Sequence, residues 1–201
     1  MTVPSRRRFL IVTAAAWPLG AMAQAAPEPP LVYEGLRFDR RVQVAGVPLM
    51  LNGTGLRAVA WFKGFAAALY LSNRASAAQQ AVAMAGPKRL QLRLFHDVPA
   101  AEFSKAFRKG MERNSEADER TRLAERIARF EGQINALGTV RKGDTVDLDL
   151  DPARGTLFGL NGTLRGEVVP GDDFYAALLR SFVGEKPYDN KLKAGLLGRP
   201  A

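Results

Sequence analysis

The order of the predicted elements places this chain in the α+β class: strands first, then helices, then strands again, with helices at the close. Three observations carry that assignment. Apolar residues alternate with polar ones around Leu90, Leu92 and Leu94 and again at Val146, Leu148 and Leu150, the period of a strand. Apolar residues three and four apart mark helices between Pro99 and Gly138. Asn161-Gly162 sits between two apolar runs, the strongest short hairpin signal in the chain. Strand and helix do not alternate regularly, so a doubly wound parallel sheet is excluded.

The chain opens with Ser5-Arg6-Arg7-Arg8-Phe9-Leu10, an apolar run at 11–16, and the small residues Ala21-Met22-Ala23-Gln24-Ala25. A charged start, a short apolar segment and an A-x-A site predict a cleavable signal peptide over residues 1–25, cut near Ala23 or Ala25. The paired arginines before Phe9-Leu10 are the form read by the twin-arginine (Tat) route, with Ile11 where a lysine is usual. Pro18 and Gly20 interrupt the apolar run, which falls short of the roughly 20 residues that span a bilayer. The expected destination is the periplasm, with no integral membrane segment left after cleavage. Residues 26–30, with three prolines, read as a stiff linker to a single domain over residues 31–201.

Within the domain, alternation around Ala45-Gly46 predicts a hairpin over 42–51, with Pro48 placing its second arm at a sheet edge. Asn52-Gly53-Thr54-Gly55 reads as a turn. The nearly unbroken apolar run 59–71 reads as a strand buried on both faces. Ser76 opens an alanine-rich helix to Ala85 that Gly86-Pro87 stops, and 90–94 follows as a half-buried strand. Pro99 suits a first helical position, and Phe103, Phe107 and Met111 form one stripe at spacing four. Ser115 with Asp118 resembles a capping box for a second helix, whose apolar face is Leu123, Ile127, Phe130, Ile134 and Leu137. After the strand at 144–150 and the hairpin arms 156–160 and 163–169, a helix over 172–183 presents Phe174, Leu178 and Phe182. Gly184 ends it, and a last short helix opens near Asp189.

Composition excludes several chemistries. The chain holds no cysteine and one histidine, His96, so disulfides, thiolate nucleophiles and multi-histidine metal sites are absent, and neither a metal nor a cofactor is expected. Its net charge is +9, and no acidic residue occurs between Arg40 and His96, so one part of the domain favours anions. Export and the lack of any helix-turn-helix or RNP-like pattern argue against nucleic acid; an anionic lipid or a carboxylate ligand fits better. Gly53-Thr54-Gly55-Leu56-Arg57-Ala58 matches a relaxed dinucleotide fingerprint but lacks the following helix and the acid about 20 residues on. Asp147, Asp149 and Asp151 lack EF-hand spacing and read as a solvated strand face. His96-Asp97 falls where a strand gives way to a helix, and Asp97 reads as a cap.

Taken in order, Leu51-Asn52-Gly53-Thr54-Gly55-Leu56-Arg57, the run from Lys63 to Leu69-Tyr70-Leu71, the helix from Pro99 through Phe103, the Asn161-Gly162 hairpin, and Phe174-Tyr175-Ala176-Ala177-Leu178-Leu179 before Gly184-Glu185-Lys186-Pro187 resemble the chalcone isomerase-like family in its bacterial exported branch. The resemblance covers roughly residues 31–198. It implies an open-faced β-sandwich in which a large antiparallel sheet is covered by helices that enclose a ligand cleft. Plant enzymes of the family close a flavanone ring with an arginine, two threonines, a tyrosine and an asparagine. The arginine position matches Arg57 and one threonine position matches Ser181, but the others fall on Phe65, Phe103 and Gly110, which offer no hydroxyl or amide to polarise a substrate. No catalytic set is therefore expected.

The resemblance also places Arg57 at one end of a cleft lined by Phe62, Phe65, Phe103, Phe107, Leu178 and Phe182. That is a carboxylate receptor with an apolar slot, and some family members bind fatty acids with an arginine helped by a tyrosine. Ser181 and Tyr70 complete the candidate set, with the reach of Tyr70 left open. The expected ligand is a small apolar acid such as a fatty acid. The competing readings are a core arginine paired with an internal carboxylate, an intramolecular lyase on another substrate, and a protein-interaction module. If the Tat reading holds, replacing Arg6, Arg7 and Arg8 together by lysine leaves the precursor in the cytoplasm, because the receptor reads the pair and not the charge. Undiminished mature protein in a periplasmic fraction of that variant refutes it.

Overall fold

The computed structural model describes residues 28–59 and 62–199, so the signal-peptide expectation over 1–25 lies outside the described residues. The strands are β1 (Leu31–Tyr33), β2 (Leu36–Phe38), β3 (Arg41–Val44), β4 (Val47–Val59), β5 (Phe62–Leu71), β6 (Lys88–Leu94), β7 (Val98–Pro99), β8 (Thr139–Val140), β9 (Thr145–Asp151), β10 (Gly155–Leu160) and β11 (Thr163–Leu164). The helices are α1 (Ala78–Ala83), α2 (Ala100–Asn114), α3 (Ala117–Asn135), α4 (Asp172–Val183) and α5 (Asn190–Leu196). Seven strands form one antiparallel sheet in the order β11-β10-β9-β6-β5-β4-β3, and the helices cover one face of it. This is the α+β, open-faced sandwich arrangement.

β5 lies inside that sheet, and its alternation separates two cores. Ala67, Leu69 and Leu71 point to the helices and join Leu90, Leu92, Val146, Leu148, Phe130 and Phe174 in the larger core. Ala66, Ala68 and Tyr70 point the other way and pack with Phe38, Leu49 and Leu51 under the β1–β2 hairpin. The unbroken apolarity of this segment follows from burial on both faces. The run does not begin at Val59, however, which closes β4.

The glycines of the predicted turn at 52–55 are instead inside β4. A register shift between Leu51 and Gly53 bulges Asn52 out of the ladder, and its amide nitrogen donates to the carbonyls of Ala75 (3.0 Å) and Leu196 (2.7 Å). The glycines serve close approach: a Cβ on Gly53, Gly55 or Gly195 would collide with backbone across the β4–α5 contact. Glycine there is a packing requirement and not a turn signal. Pro48 also differs from expectation, since β3, not β4, is the edge strand. The Leu51 amide donates to Arg40 on the β3 side, so Pro48 faces the other way, where pairing with β5 begins only at Met50. Its missing donor has no acceptor to leave empty.

Other boundaries shift for local reasons. α1 begins at Ala78, with Ala77 and not Ser76 at its cap. Ser115 ends α2, Glu116 precedes α3, and neither caps through its side chain, so the expected capping box is not formed. Asp97 accepts from the Lys142 amide at 2.8 Å and ties two loops instead of capping α2. The second arm of the Asn161-Gly162 hairpin is only Thr163–Leu164, though both turn residues have the positive φ (53° and 77°) that type I′ requires. Asp147 and Asp149 are not a solvated row. Arg89 faces Asp149 across the ladder and grips it bidentately at 2.7 and 2.6 Å, while Gln91 donates to Asp147 at 2.8 Å. The same pairing buries Gln91, so β6 is mostly buried and not half exposed.

The β4–α5 contact gives a paired test. Gly195→Ala forces a methyl into the Thr54–Gly55 backbone and lowers stability by about 1–3 kcal/mol. Gly132→Ala, on the open side of α3 with nothing within 4 Å, raises it by about 0.5–1 kcal/mol. Denaturant midpoints at unchanged slope report both; equal effects of one sign would contradict the packing account.

Candidate ligand-binding site

Between the helical layer and the sheet lies a cavity of about 150 Å³. The sheet contributes Phe65 of β5, Leu92 of β6, Val146 and Leu148 of β9 and Phe158 of β10. The helices contribute Phe103, Ala106 and Phe107 of α2, Phe130 and Ile134 of α3, and Leu178 and Phe182 of α4. Tilted aromatic pairs stiffen this wall: the Phe107 and Phe130 rings lie 5.0 Å apart, and Phe130 and Phe158 lie 5.4 Å apart. Among the described residues only two lining side chains carry polar groups, Arg57 and Tyr188.

Arg57 reaches the cavity because it is paired with Phe65 across the β4–β5 ladder, and directly opposed residues share a face. Its Nη1 donates to Asp189 Oδ2 at 3.2 Å and to the Ala58 carbonyl at 3.3 Å. Among the described residues its Nε and Nη2 have no hydrogen-bond partner. The Arg57 side chain is 33% exposed and that of Asp189 18%, so solvent screens the pair and its worth is at most about 1 kcal/mol. The Asp189 carboxylate divides its work. Oδ1 accepts the amides of Lys191 (2.7 Å) and Leu192 (3.0 Å) as the N-cap of α5, while Oδ2 faces Arg57.

Tyr188 precedes that cap. Its hydroxyl donates to the Ala106 carbonyl at 3.1 Å, and its ring meets Phe182 edge-on at 4.8 Å between centroids. Burial raises the phenol above its ordinary value against the opposing pull of Ser181, so it remains a neutral donor. Gly110 makes room for it, since a Cβ there would strike the Tyr188 ring and hydroxyl. Ser181 is buried in the same corner, with its Cβ near the Gly110 position, but does not line the cavity.

Of the residues singled out from the sequence, Arg57, Phe65, Phe103, Phe107, Leu178 and Phe182 meet at one cavity. The Phe62 side chain lies outside the described residues. Tyr70 is not brought there: it stands five positions from Phe65 on one strand and so faces the second core, where its buried hydroxyl has no hydrogen-bond partner among the described residues. His96 is exposed and outside the lining. Tyr188 escaped sequence reasoning; the competing reading of an arginine paired with an internal carboxylate did foresee the ion pair at Arg57, but not that Asp189 supplies it. A glycine inside the predicted helix at Gly110 was the available hint, because such a residue needs a packing reason.

The family description "chalcone isomerase-like" matches residues 31–198, the whole described domain but for its ends. The chain belongs to the chalcone isomerase-like family. Among solved structures, this chalcone isomerase-like domain is similar to the crystal structure of a fatty-acid binding protein from Arabidopsis thaliana, at 15% identity and a TM-score of 0.61, over 84% of this chain and 95% of that one. At that identity the likeness is one of fold. No curated protein matches the sequence.

Asp189 offers a direct test of the site's framework. Asp189→Ala removes both cap and ion pair and costs about 0.5–2 kcal/mol, whereas Asp189→Asn keeps the cap oxygen and costs clearly less. Thermal melts of the two variants side by side decide it; equal losses would mean that the charge, not the cap, carries Asp189.

Proposed function

We propose that this domain is a non-catalytic receptor for a small apolar carboxylate such as a fatty acid, with the carboxylate on Arg57 and the tail in the cavity. The observation that carries this is the lining itself: an apolar enclosure whose polar groups, among the described residues, are one guanidinium and one neutral phenol. A guanidinium meets a carboxylate through parallel donors, and each methylene buried behind it adds about 0.8 kcal/mol. Phe65 and Phe103, at positions where the family resemblance puts hydroxyls of the ring-closing enzymes, line the cavity with plain rings, and a Cβ on Gly110 would strike Tyr188. The similar fold of a fatty-acid binding protein supports the same reading. The domain acts after export to the periplasm, a proposal that rests on Arg6-Arg7-Arg8 and the Ala23–Ala25 site alone.

Asp189 is the resident competitor for Arg57, and that sets the experiment. In calorimetric titration with decanoate and decanol, Arg57→Ala weakens decanoate by about 1.5–3 kcal/mol and leaves decanol nearly unchanged. Asp189→Asn, which withdraws the competing charge, tightens decanoate. Equal affinity for acid and alcohol in the unaltered protein, or no effect of Arg57→Ala, overturns the receptor. A saturable cyclisation of a chalcone that Arg57→Ala abolishes overturns the non-catalytic part.

A further inference from the structure

A second concavity of about 430 Å³ lies at the far end of α5 from Asp189. Arg40, Arg41, Arg74 and Arg199 line it, with Glu28 as the single acid among the described residues, beside Asn52, Thr54 and the glycines Gly53, Gly195 and Gly198. Three of these arginines belong to the stretch from Arg40 to His96 that carries no acidic residue. We propose that this groove is an anion site that takes a phosphate-bearing group, with the arginine forks as its ligands.

Arg40 Nε is held by the Pro29 carbonyl at 3.1 Å, and Arg41 meets Glu28 at 3.4 Å in a pair exposed at 70% and 54%. The side chains of Arg74 and Arg199 have no hydrogen bond or ion pair among the described residues. All four arginines are exposed, so solvent screens their mutual repulsion, and their planar forks around one groove match the oxygens of a phosphate. Support of the α5 carboxyl end does not account for them. The Leu196 carbonyl is taken by Asn52 at 2.7 Å, that of Gly195 by the Gly198 amide at 3.0 Å and that of Ala194 by the Arg199 amide at 2.9 Å. The groove is separate from the Arg57 cavity and does not depend on the carboxylate reading.

Phosphate chemistry has two sources here, a phospholipid headgroup and a soluble phosphate ester, and the test separates them. The full chain is compared with Arg74→Glu/Arg199→Glu and with a charge-matched control, Arg141→Glu/Lys142→Glu, whose exposed side chains lie elsewhere. The probes are phosphatidylcholine vesicles with and without phosphatidylglycerol, and glycerol 3-phosphate in solution. The groove variant loses at least about 25-fold in affinity for the phosphatidylglycerol vesicles, for glycerol 3-phosphate or for both, at about fivefold per arginine, while the control keeps most of its binding. Loss on vesicles alone assigns the headgroup, and loss on glycerol 3-phosphate assigns the soluble ester. Equal loss in both double variants, or binding of neither probe, overturns the site, as does a lowered melting temperature in the groove variant with binding unchanged.

Discussion

The β4–α5 contact is the constraint on which the site depends. Two glycines on the strand and one on the helix let backbone meet backbone, and Asn52 ties the carboxyl end of α5 to the bulge beside them. Once that helix is pressed to the strand, its first residue can only be near the other end of β4, which is where Arg57 stands. The ion pair, the cap and the position of Tyr188 are consequences of a crossing that admits no methyl group. Close packing turns a local glycine choice into a fixed position several residues away.

Much of this was legible in the sequence where a period repeats. The helices at 99–111 and 172–183 and the hairpin at Asn161-Gly162 follow from spacing and turn chemistry, and the ordered segments pointed to the family. What escaped was of one kind. The glycines of 52–55 look the same in a turn and in a close crossing, because composition does not say what approaches them. The aspartates of β9 look solvated until the strand that supplies Arg89 and Gln91 is known to be their neighbour. Six lining residues of the cavity, Arg57 among them, were placed at one cleft by the family resemblance, the helical stripes agreeing for Phe103, Phe107, Leu178 and Phe182, but Tyr188 sits in a loop with no period to betray it. Tyr70 was the reverse case: offered as a site residue, it lies on the face opposite Phe65, because strand parity separates positions five apart.

The two faces of the sheet also differ in how they use polarity. On the helical side the enclosure is nearly all hydrocarbon, and its polar atoms gather at the Arg57–Tyr188 corner. On the other side Arg89, Gln91, Asp147 and Asp149 form a cross-strand ladder beside the β1–β2 hairpin, itself held by Lys63 to Glu34 at 2.6 Å and by Arg93 over the Phe38 ring. A ladder of that kind fixes strand register, since a slip by one residue would strand its charges. The polar face thereby holds steady the apolar one on which the cavity is built.

The division of labour within the Asp189 carboxylate bears on kinetics. One oxygen serves the helix and the other the arginine, so in the proposed receptor an acid could engage the open edge of the guanidinium while Nη1 is still held, and then take over without α5 losing its cap. Under the proposed receptor reading, such a shared state would shorten residence time and ease both loading and unloading.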